Sequence, residues 1–307
     1  MGIPFSEIYN FKNPTFKKIF LTFLITTVLS IGCTVYFSLK FSVENINNQV
    51  SVSFMHLLNS KKEAIDKKII EVDNIIYQVM MDKNVWMLLR SAEINESHLW
   101  PIRDIIDDFT SIANTNEVIH SIYFFDIVHS FVISNSKFSK LDFYDKDILE
   151  VDKEGNMPNS AFIEGVRTIN NSKIISYMKK FDVFIDGNVG YFIFNLDYND
   201  LFSDVTREQS DIYSEYIIFN EDKPLYFPED SIINLLDPKD ISKVLSENQT
   251  SVLTDINNKK YFVCGTKSNV TGWTYLYLQD YMGLVRSSEL LKKTVFISTM
   301  IIFLFSL

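Results

Sequence analysis

The stretch that most restricts this chain is Ile19–Leu39, a run of 21 residues without a charged side chain. Two lysines, Lys17 and Lys18, come directly before it. At about 1.5 Å of rise per residue, a helix of this length crosses the roughly 30 Å hydrocarbon layer of a membrane. A cleaved signal peptide has a shorter apolar core followed by small residues, whereas this run continues through Tyr36 and Phe37. We therefore expect an uncleaved transmembrane anchor.

The charges beside the anchor predict its orientation. Lys12, Lys17 and Lys18 precede it against a single Glu7. Positively charged flanks stay on the cytoplasmic side, so residues 1–18 are expected to form a cytoplasmic tail. The bulk of the chain then lies outside the cell.

The last residues of the sequence are apolar as well. Residues 294–307 are uncharged, and the apolar run Val295–Leu307 is too short to cross a membrane. This pattern favours the start of a second, truncated transmembrane helix. We expect a two-pass protein of the cell membrane whose cytoplasmic output domain lies beyond Leu307.

Charge and cysteine content exclude several classes for the extracellular part. The chain has 39 acidic against 29 basic residues and a net charge of −10, which argues against nucleic-acid binding by this segment. Cys33 lies in the anchor and Cys264 outside it, so they cannot pair within one chain. An extracellular domain without disulfides is stabilised by core packing alone, which is common in bacterial surface proteins.

A long stalk helix, residues 40–90, is predicted directly after the anchor. Charged residues from Lys61 to Lys68 are expected on its solvated face. The apolar face is either a dimer seam or a surface packed on the domain behind it, and we favour packing. The residues that form this face share helical spacing: Leu58, Ile65, Ile69, Val72, Ile76 and Val79.

Strand-forming sequences follow the stalk in two blocks. Four short helices are expected: one before the first block, one between the blocks, one within the second block and one after it. Antiparallel sheets with helices on one face define an α+β fold. The predicted strands are Val118–Ile127, Phe131–Ser134, Lys173–Phe184, Val189–Asp197, Glu215–Asn220, Leu225–Phe227, Ser251–Asp255, Lys259–Thr266 and Gly272–Gln279, with an Asp186-Gly187 hairpin turn. The predicted helices are Pro101–Ala113, Tyr198–Glu208, Asp237–Ser246 and Tyr281–Lys293.

The most specific parts of this order are Gly190–Leu201, Gly272–Tyr277 and the Phe143–Asp147 segment. Together with the order itself, they give a pattern that resembles the double Cache family of extracellular sensors, in which two PAS-like modules follow a stalk helix. It implies a membrane-distal module at residues 91–209 and a membrane-proximal module at 210–293.

The resemblance implies a function in signal input. The expected output is an AraC-type DNA-binding transcription regulator, with a sensor histidine kinase as the alternative. DNA would be contacted only through that missing output domain. A homodimer is also expected.

One departure from the family bears on the ligand. Amino-acid-binding members place an aspartate where the distal strand ends, and that position is Asn195 here; their Arg-x-Trp-Tyr run is absent. The expected partner is therefore a neutral, sugar-like small molecule, or a solute-binding protein, rather than an amino acid. The candidate ligand-binding residues are Tyr123, Phe125, Tyr144, Asp145, Tyr177, Lys179, Tyr191 and Asn195.

An enzyme is the competing hypothesis, and no motif favours it. The four histidines are scattered, without metal-ligand spacing, and there is no phosphate-binding glycine loop or nucleophile elbow. We predict no catalytic residue, no metal and no cofactor. A ligand-free scaffold is the third hypothesis, and it predicts a distal pocket filled by its own side chains.

Overall fold

A computed structural model describes residues 14–91, 93–126, 129–140, 145, 160–163, 165–183, 188–205, 214–221, 223–228, 231–232, 251–256, 258–283, 293–294 and 297. Anchor and stalk form one helix, α1 (Pro14–Met80). Its segment Pro14–Ser38 is long and apolar enough to cross a membrane, and none of it is buried. The predicted second membrane helix, the helix at Asp237–Ser246 and the Asp186-Gly187 turn fall outside the described residues, apart from a few positions near Lys293.

The predicted stalk helix is interrupted near its end. After α1, the chain turns at Asp82 and a second helix, α2 (Lys83–Arg90), begins. The Asp82 carboxylate accepts hydrogen bonds from the backbone N–H groups of Asn84 (2.7 Å) and Val85 (3.3 Å). Such a cap starts a new helix, so a stretch without Pro or Gly still divides into two. The described residues include two further α-helices, α3 (Leu99–Thr115) and α4 (Tyr198–Leu201), and two short 3-10 helices, Glu96–His98 and Ser203–Val205.

Two antiparallel sheets confirm the α+β prediction. The distal sheet has the order β3-β2-β1-β7-β6-β4, with β5 also paired to β6, and the proximal sheet has the order β10-β11-β12-β8-β9. In each sheet the first strand lies beside the last, so both modules share one topology. The distal strands are β1 (Ile119–Asp126), β2 (Phe131–Ser134), β3 (Phe138–Lys140), β4 (Ser160–Phe162), β5 (Arg167–Ile169), β6 (Ser172–Val183) and β7 (Asn188–Asp197). The proximal strands are β8 (Ser214–Asn220), β9 (Lys223–Tyr226), β10 (Ser251–Ile256), β11 (Lys259–Lys267) and β12 (Thr274–Asp280).

The stalk helix packs on both modules through the predicted apolar face. All six predicted residues are buried in one continuous core, so the packing interpretation of this face is confirmed. Closer to the anchor along the helix, Phe54 packs against the rings of Phe262 and Tyr277 in the proximal sheet. A single rigid element therefore touches both sheets.

The expectation that the stalk charges are solvated is wrong for two of them. Asp66 is only 8% exposed and accepts a hydrogen bond from the Ser268 hydroxyl at 2.6 Å. Lys68 pairs with Asp204 at 2.6 Å and donates to the carbonyl oxygen of Asp200 at 2.8 Å. Both side chains face residues more than 130 positions away, which helical spacing does not reveal.

We predict that the buried Asp66 makes stability depend on pH. Burial raises the pKa of Asp66 above its ordinary 3.8, an effect that outweighs the hydrogen bond from Ser268. Because the folded state holds this proton more tightly, Asp66 lowers stability progressively as the pH rises above 3.8 and through the raised folded-state pKa. The variant Asp66→Asn should remove that loss, so in thermal melts its advantage in Tm over the wild type should grow as the pH rises above 3.8 and through the raised folded-state pKa of Asp66. The exposed Glu71→Gln is the control, and a pH-independent difference for Asp66→Asn would contradict the assignment.

Candidate functional site

Three polar side chains form a row across the centre of the distal sheet. Asn195 on β7 is the cross-strand partner of Ser121 on β1 and of Ser176 on β6. The Asn195 amide donates to the Ser121 hydroxyl at 2.9 Å and accepts from the Ser176 hydroxyl at 2.6 Å. Because residues in register point to the same side of a sheet, all three lie on the face turned away from the helices. We call Ser121, Asn195 and Ser176 the polar row.

A buried ion pair extends the polar row. Arg167, on β5, donates to Ser176 at 2.5 Å and to the Asn195 side-chain oxygen at 3.0 Å. Its other terminal nitrogen binds Asp145 at 2.9 Å, and the two side chains are only 9% and 4% exposed. The guanidinium is thus neutralised inside the site, and the cluster as a whole carries no net charge.

Aromatic residues surround the polar row on the same face. Tyr123 and Phe125 alternate with the helix-facing residues of β1, and Tyr191 lies opposite Phe125 on β7. All three are at most 6% exposed. They belong to a small cluster separate from the main core, which also contains Val132, Met178 and Ile193. Aromatic walls around a few polar groups are the usual make-up of a small-molecule site.

Tyr177 and Lys179 lie on the other face of the sheet, against α1. Both donate hydrogen bonds to one oxygen of Asp73, at 3.0 Å and 2.6 Å, and the Lys179 ammonium sits 3.6 Å from the ring centre of Tyr77. Burial, followed by the charge of Asp73, raises the pKa of Tyr177. Burial disfavours the charge on Lys179, but hydrogen bonds to Asp73 and Tyr77 outweigh it and leave the Lys179 pKa raised. These two residues therefore belong to a contact with the stalk.

The structure brings together five of the eight predicted residues on one face: Tyr123, Phe125, Asp145, Tyr191 and Asn195. It separates Tyr177 and Lys179 from them, and Tyr144 lies outside the described residues. Sequence reasoning missed Ser121, Ser176 and Arg167. Once the strands are paired, the register places both serines beside Asn195, but β5 has only three residues and offered no periodic signal.

The sequence matches no protein-family model and no curated protein. Solved structures do match. One is the extracellular domain of a protein described as a histidine kinase, with 12% identity, a TM-score of 0.54, and coverage of 78% of this chain and 96% of that one. Another is the sensory domain of the chemoreceptor Tlp3 of Campylobacter jejuni with isoleucine bound, at 15% identity, TM-score 0.53, and coverage of 80% and 98%. A third is the ligand-binding domain of Mlp24 with asparagine, at 12% identity, TM-score 0.52, and coverage of 80% and 98%.

These similarities establish the fold. The chain has the same double Cache fold as these domains. Among the described residues, one apolar helix that is long enough to span a membrane precedes this fold. Each of the three similar structures is a sensory, ligand-binding or extracellular domain rather than a catalytic one.

Proposed function

We propose that this chain is the extracellular, ligand-sensing input region of a membrane-anchored signalling receptor. One observation carries the proposal: β6 links the polar row to the stalk through the thickness of the sheet. Ser176 belongs to the polar row, and the next residue, Tyr177, donates a hydrogen bond to Asp73 of α1 from the opposite face of the sheet. A ligand that prefers one arrangement of the polar row would therefore bias the position of the helix that enters the membrane.

We propose a neutral polar ligand, such as a sugar. The Arg167 guanidinium is held by Asp145, so a ligand carboxylate would have to displace a buried partner before it could bind. Asn195 offers no negative charge for an ammonium group. Hydroxyl groups, in contrast, can both donate to and accept from the serine and amide groups of the polar row.

A thermal-shift experiment tests the ligand class. The full chain in lipid nanodiscs is screened against neutral sugars and against isoleucine and asparagine, the ligands of the similar domains. A sugar at 100 times its Kd should stabilise the folded state by about 2.7 kcal/mol. The part of the shift that comes from the polar row should be lost in Asn195→Ala and retained in Thr168→Ala, an exposed neighbour of Arg167.

The other outcomes of this screen are equally informative. A shift with amino acids alone would overturn the neutral-ligand proposal while leaving the sensor proposal intact. No shift with any compound would favour the ligand-free scaffold, or recognition of a solute-binding protein.

For the output, we favour a histidine kinase over an AraC-type regulator. The similar structures include the extracellular domain of a protein described as a histidine kinase. The AraC expectation rests on the Phe143–Asp147 segment, of which only Asp145 is described, and the comparisons lend it no support. The coding sequence downstream of Leu307 tests this choice, since a phospho-accepting histidine and an ATP-binding domain would support it and paired helix-turn-helix units would overturn it.

We also propose a parallel homodimer formed through the outer face of the stalk. Ile70, Asn74, Tyr77 and Met81 recur at steps of four, three and four residues, the spacing of a coiled-coil seam. Ile70 and Tyr77 on α1 are 46% and 49% exposed, and Met81, in the turn directly after α1, is 72% exposed. Such exposure is unusual for large apolar side chains that lie close together. Two copies anchored by the same helix would meet in parallel, each residue facing its own counterpart.

Disulfide cross-linking in membranes tests the homodimer. Asn74→Cys, in a Cys33→Ser background, should form a dimer on mild oxidation, whereas Glu71→Cys, which flanks the seam and does not lie in it, should react far less. Cys264 will not interfere, because it is fully buried and burial raises its pKa to about 12. Equal cross-linking at both positions would contradict a defined seam.

A further inference from the structure

A cavity of about 310 Å³ lies between the two modules, apart from the polar row. Phe162 and Tyr177 line it from the distal module, and Leu225 and Thr271 line it from the proximal module. Tyr177 also contacts the stalk, so this inter-module cavity is on the helix-facing side of the distal sheet. The polar row occupies the opposite face. The volume falls at the lower end of the usual range for small-molecule sites, about 300–1,000 Å³.

The walls of the inter-module cavity combine an aromatic surface with polar groups. The rings of Phe162 and Tyr177 pack 4.8 Å apart, and Leu225 is only 3% exposed. Glu221 and Lys223, on the β8–β9 hairpin, add opposite charges at the rim, and Thr271 adds a hydroxyl group. A ligand with an apolar ring face of C–H groups and with hydroxyl groups around its edge matches such a surface better than a charged ligand does.

One turn connects the cavity to the stalk. The Ser268 hydroxyl donates to Asp66 of α1 at 2.6 Å and accepts from the backbone N–H groups of Val270 (3.0 Å) and Thr271 (3.1 Å). Val270 and Thr271 both line the cavity. A molecule bound in the cavity would contact the turn that contains Ser268, which is hydrogen-bonded to the buried Asp66 of the stalk.

Trp273, the residue that follows this turn, contacts the distal module from the proximal one. Trp273 is fully buried, and its ring packs 4.7 Å from that of Phe162 on β4 and 6.0 Å from that of Phe202 after α4. Its indole nitrogen makes no hydrogen bond among the residues that the structure describes. A buried donor without an acceptor is uncommon. The hydrogen-bonding capacity of this junction is therefore not fully used among the described residues.

We propose that the inter-module cavity is a second ligand site, which takes a neutral hydroxyl-rich molecule of about monosaccharide size and sets the relative position of the two modules. None of the polar-row residues lines this cavity, so the two sites can be tested separately. Occupancy of the cavity reaches the stalk through Ser268 and Asp66. It shares with the polar row the contact between Tyr177 and Asp73, because Tyr177 is also part of the cavity wall.

Fluorescence of Trp273 provides the test. The full chain in lipid nanodiscs, with Trp86→Phe and Trp100→Phe, has Trp273 as its sole tryptophan. It is titrated with D-glucose, D-galactose, D-mannose, D-xylose, D-ribose and L-arabinose. At least one should change the Trp273 emission saturably. Val270→Phe, which fills the cavity from an exposed position, should weaken that response at least tenfold. Asn269→Phe, one residue away and not part of the lining, should leave it unchanged.

The polar-row variant Asn195→Ala separates this proposal from the proposed function. Retention of the fluorescence response in Asn195→Ala, with loss in Val270→Phe, supports a second site even if the polar row binds nothing. Loss in Asn195→Ala with an unchanged Val270→Phe response would assign the effect to the polar row and overturn the second site. Absence of a response to all six sugars would overturn it as well, whatever the thermal-shift screen shows.

Discussion

Replacing Arg167 with methionine should lower the free energy of unfolding by about 3–5 kcal/mol, the usual cost of breaking a buried ion pair. The substitution would leave the Asp145 carboxylate, 4% exposed, without the guanidinium that neutralises it. It would also remove the hydrogen bonds from Arg167 to Ser176 and Asn195. Urea unfolding of the full chain, followed by circular dichroism, measures the change.

Two comparisons make the Arg167 prediction specific. In the exposed pair Arg103–Asp107, the charged groups lie 4.0 Å apart and the side chains are 69% and 72% exposed. Arg103→Met should therefore cost less than about 1 kcal/mol. Adding Asp145→Asn to Arg167→Met should recover part of the loss, because the buried negative charge of Asp145 disappears. If Arg167→Met and Arg103→Met have equal effects, the pair is not buried as described.

The second large effect is expected at Gly190, at the start of the predicted distal strand motif. A Cβ atom there would lie 2.8 Å from a ring carbon of Phe124, 3.2 Å from the backbone oxygen of Phe125 and 3.4 Å from Leu89. Phe124 is fully buried, and its ring stacks on Phe192 at 4.8 Å, so it has no space to withdraw. Overpacking of this kind typically costs about 1–3 kcal/mol.

Gly190→Ala should therefore destabilise the chain by about that amount, and the larger Gly190→Val by more. Gly32→Ala is the control, because a Cβ at Gly32 meets nothing within 4 Å. The same urea unfolding experiment measures all three variants. Wild-type stability in Gly190→Val would mean that α2 and the distal sheet are not packed as closely as the structure has them.

Local patterns predicted much of this fold. The apolar face of the stalk was predicted correctly, because a helix places every third or fourth residue on one side whatever it packs against. The hairpins β1–β2 and β6–β7 were likewise predictable, since each depends on alternating side chains over a few residues. The division of the stalk at Asp82 was missed, because a single capping carboxylate leaves little trace in a helical pattern.

The candidate site was only partly predictable, for a related reason. Tyr123, Phe125, Tyr191 and Asn195 could be named from strand composition and from resemblance, and the structure gathers them on one face. Tyr177 belongs to the same kind of sequence but points to the stalk. A shift of one residue changes the face of a strand, so composition alone does not assign a side chain to the site.

The amino-acid sequence alone determined that this chain has an apolar helix long enough to span a membrane, a stalk and two strand-rich blocks, because hydropathy and periodicity act over neighbouring residues. Only the tertiary structure decided that Arg167 neutralises Asp145 beside Asn195 and that Asp66 is buried against Ser268. It also decided that a cavity lined by residues of both modules lies between them. These features join residues distant in the chain, and their energies depend on burial and on distances of a few ångströms, which appear only when the sheets have paired and packed on the helix.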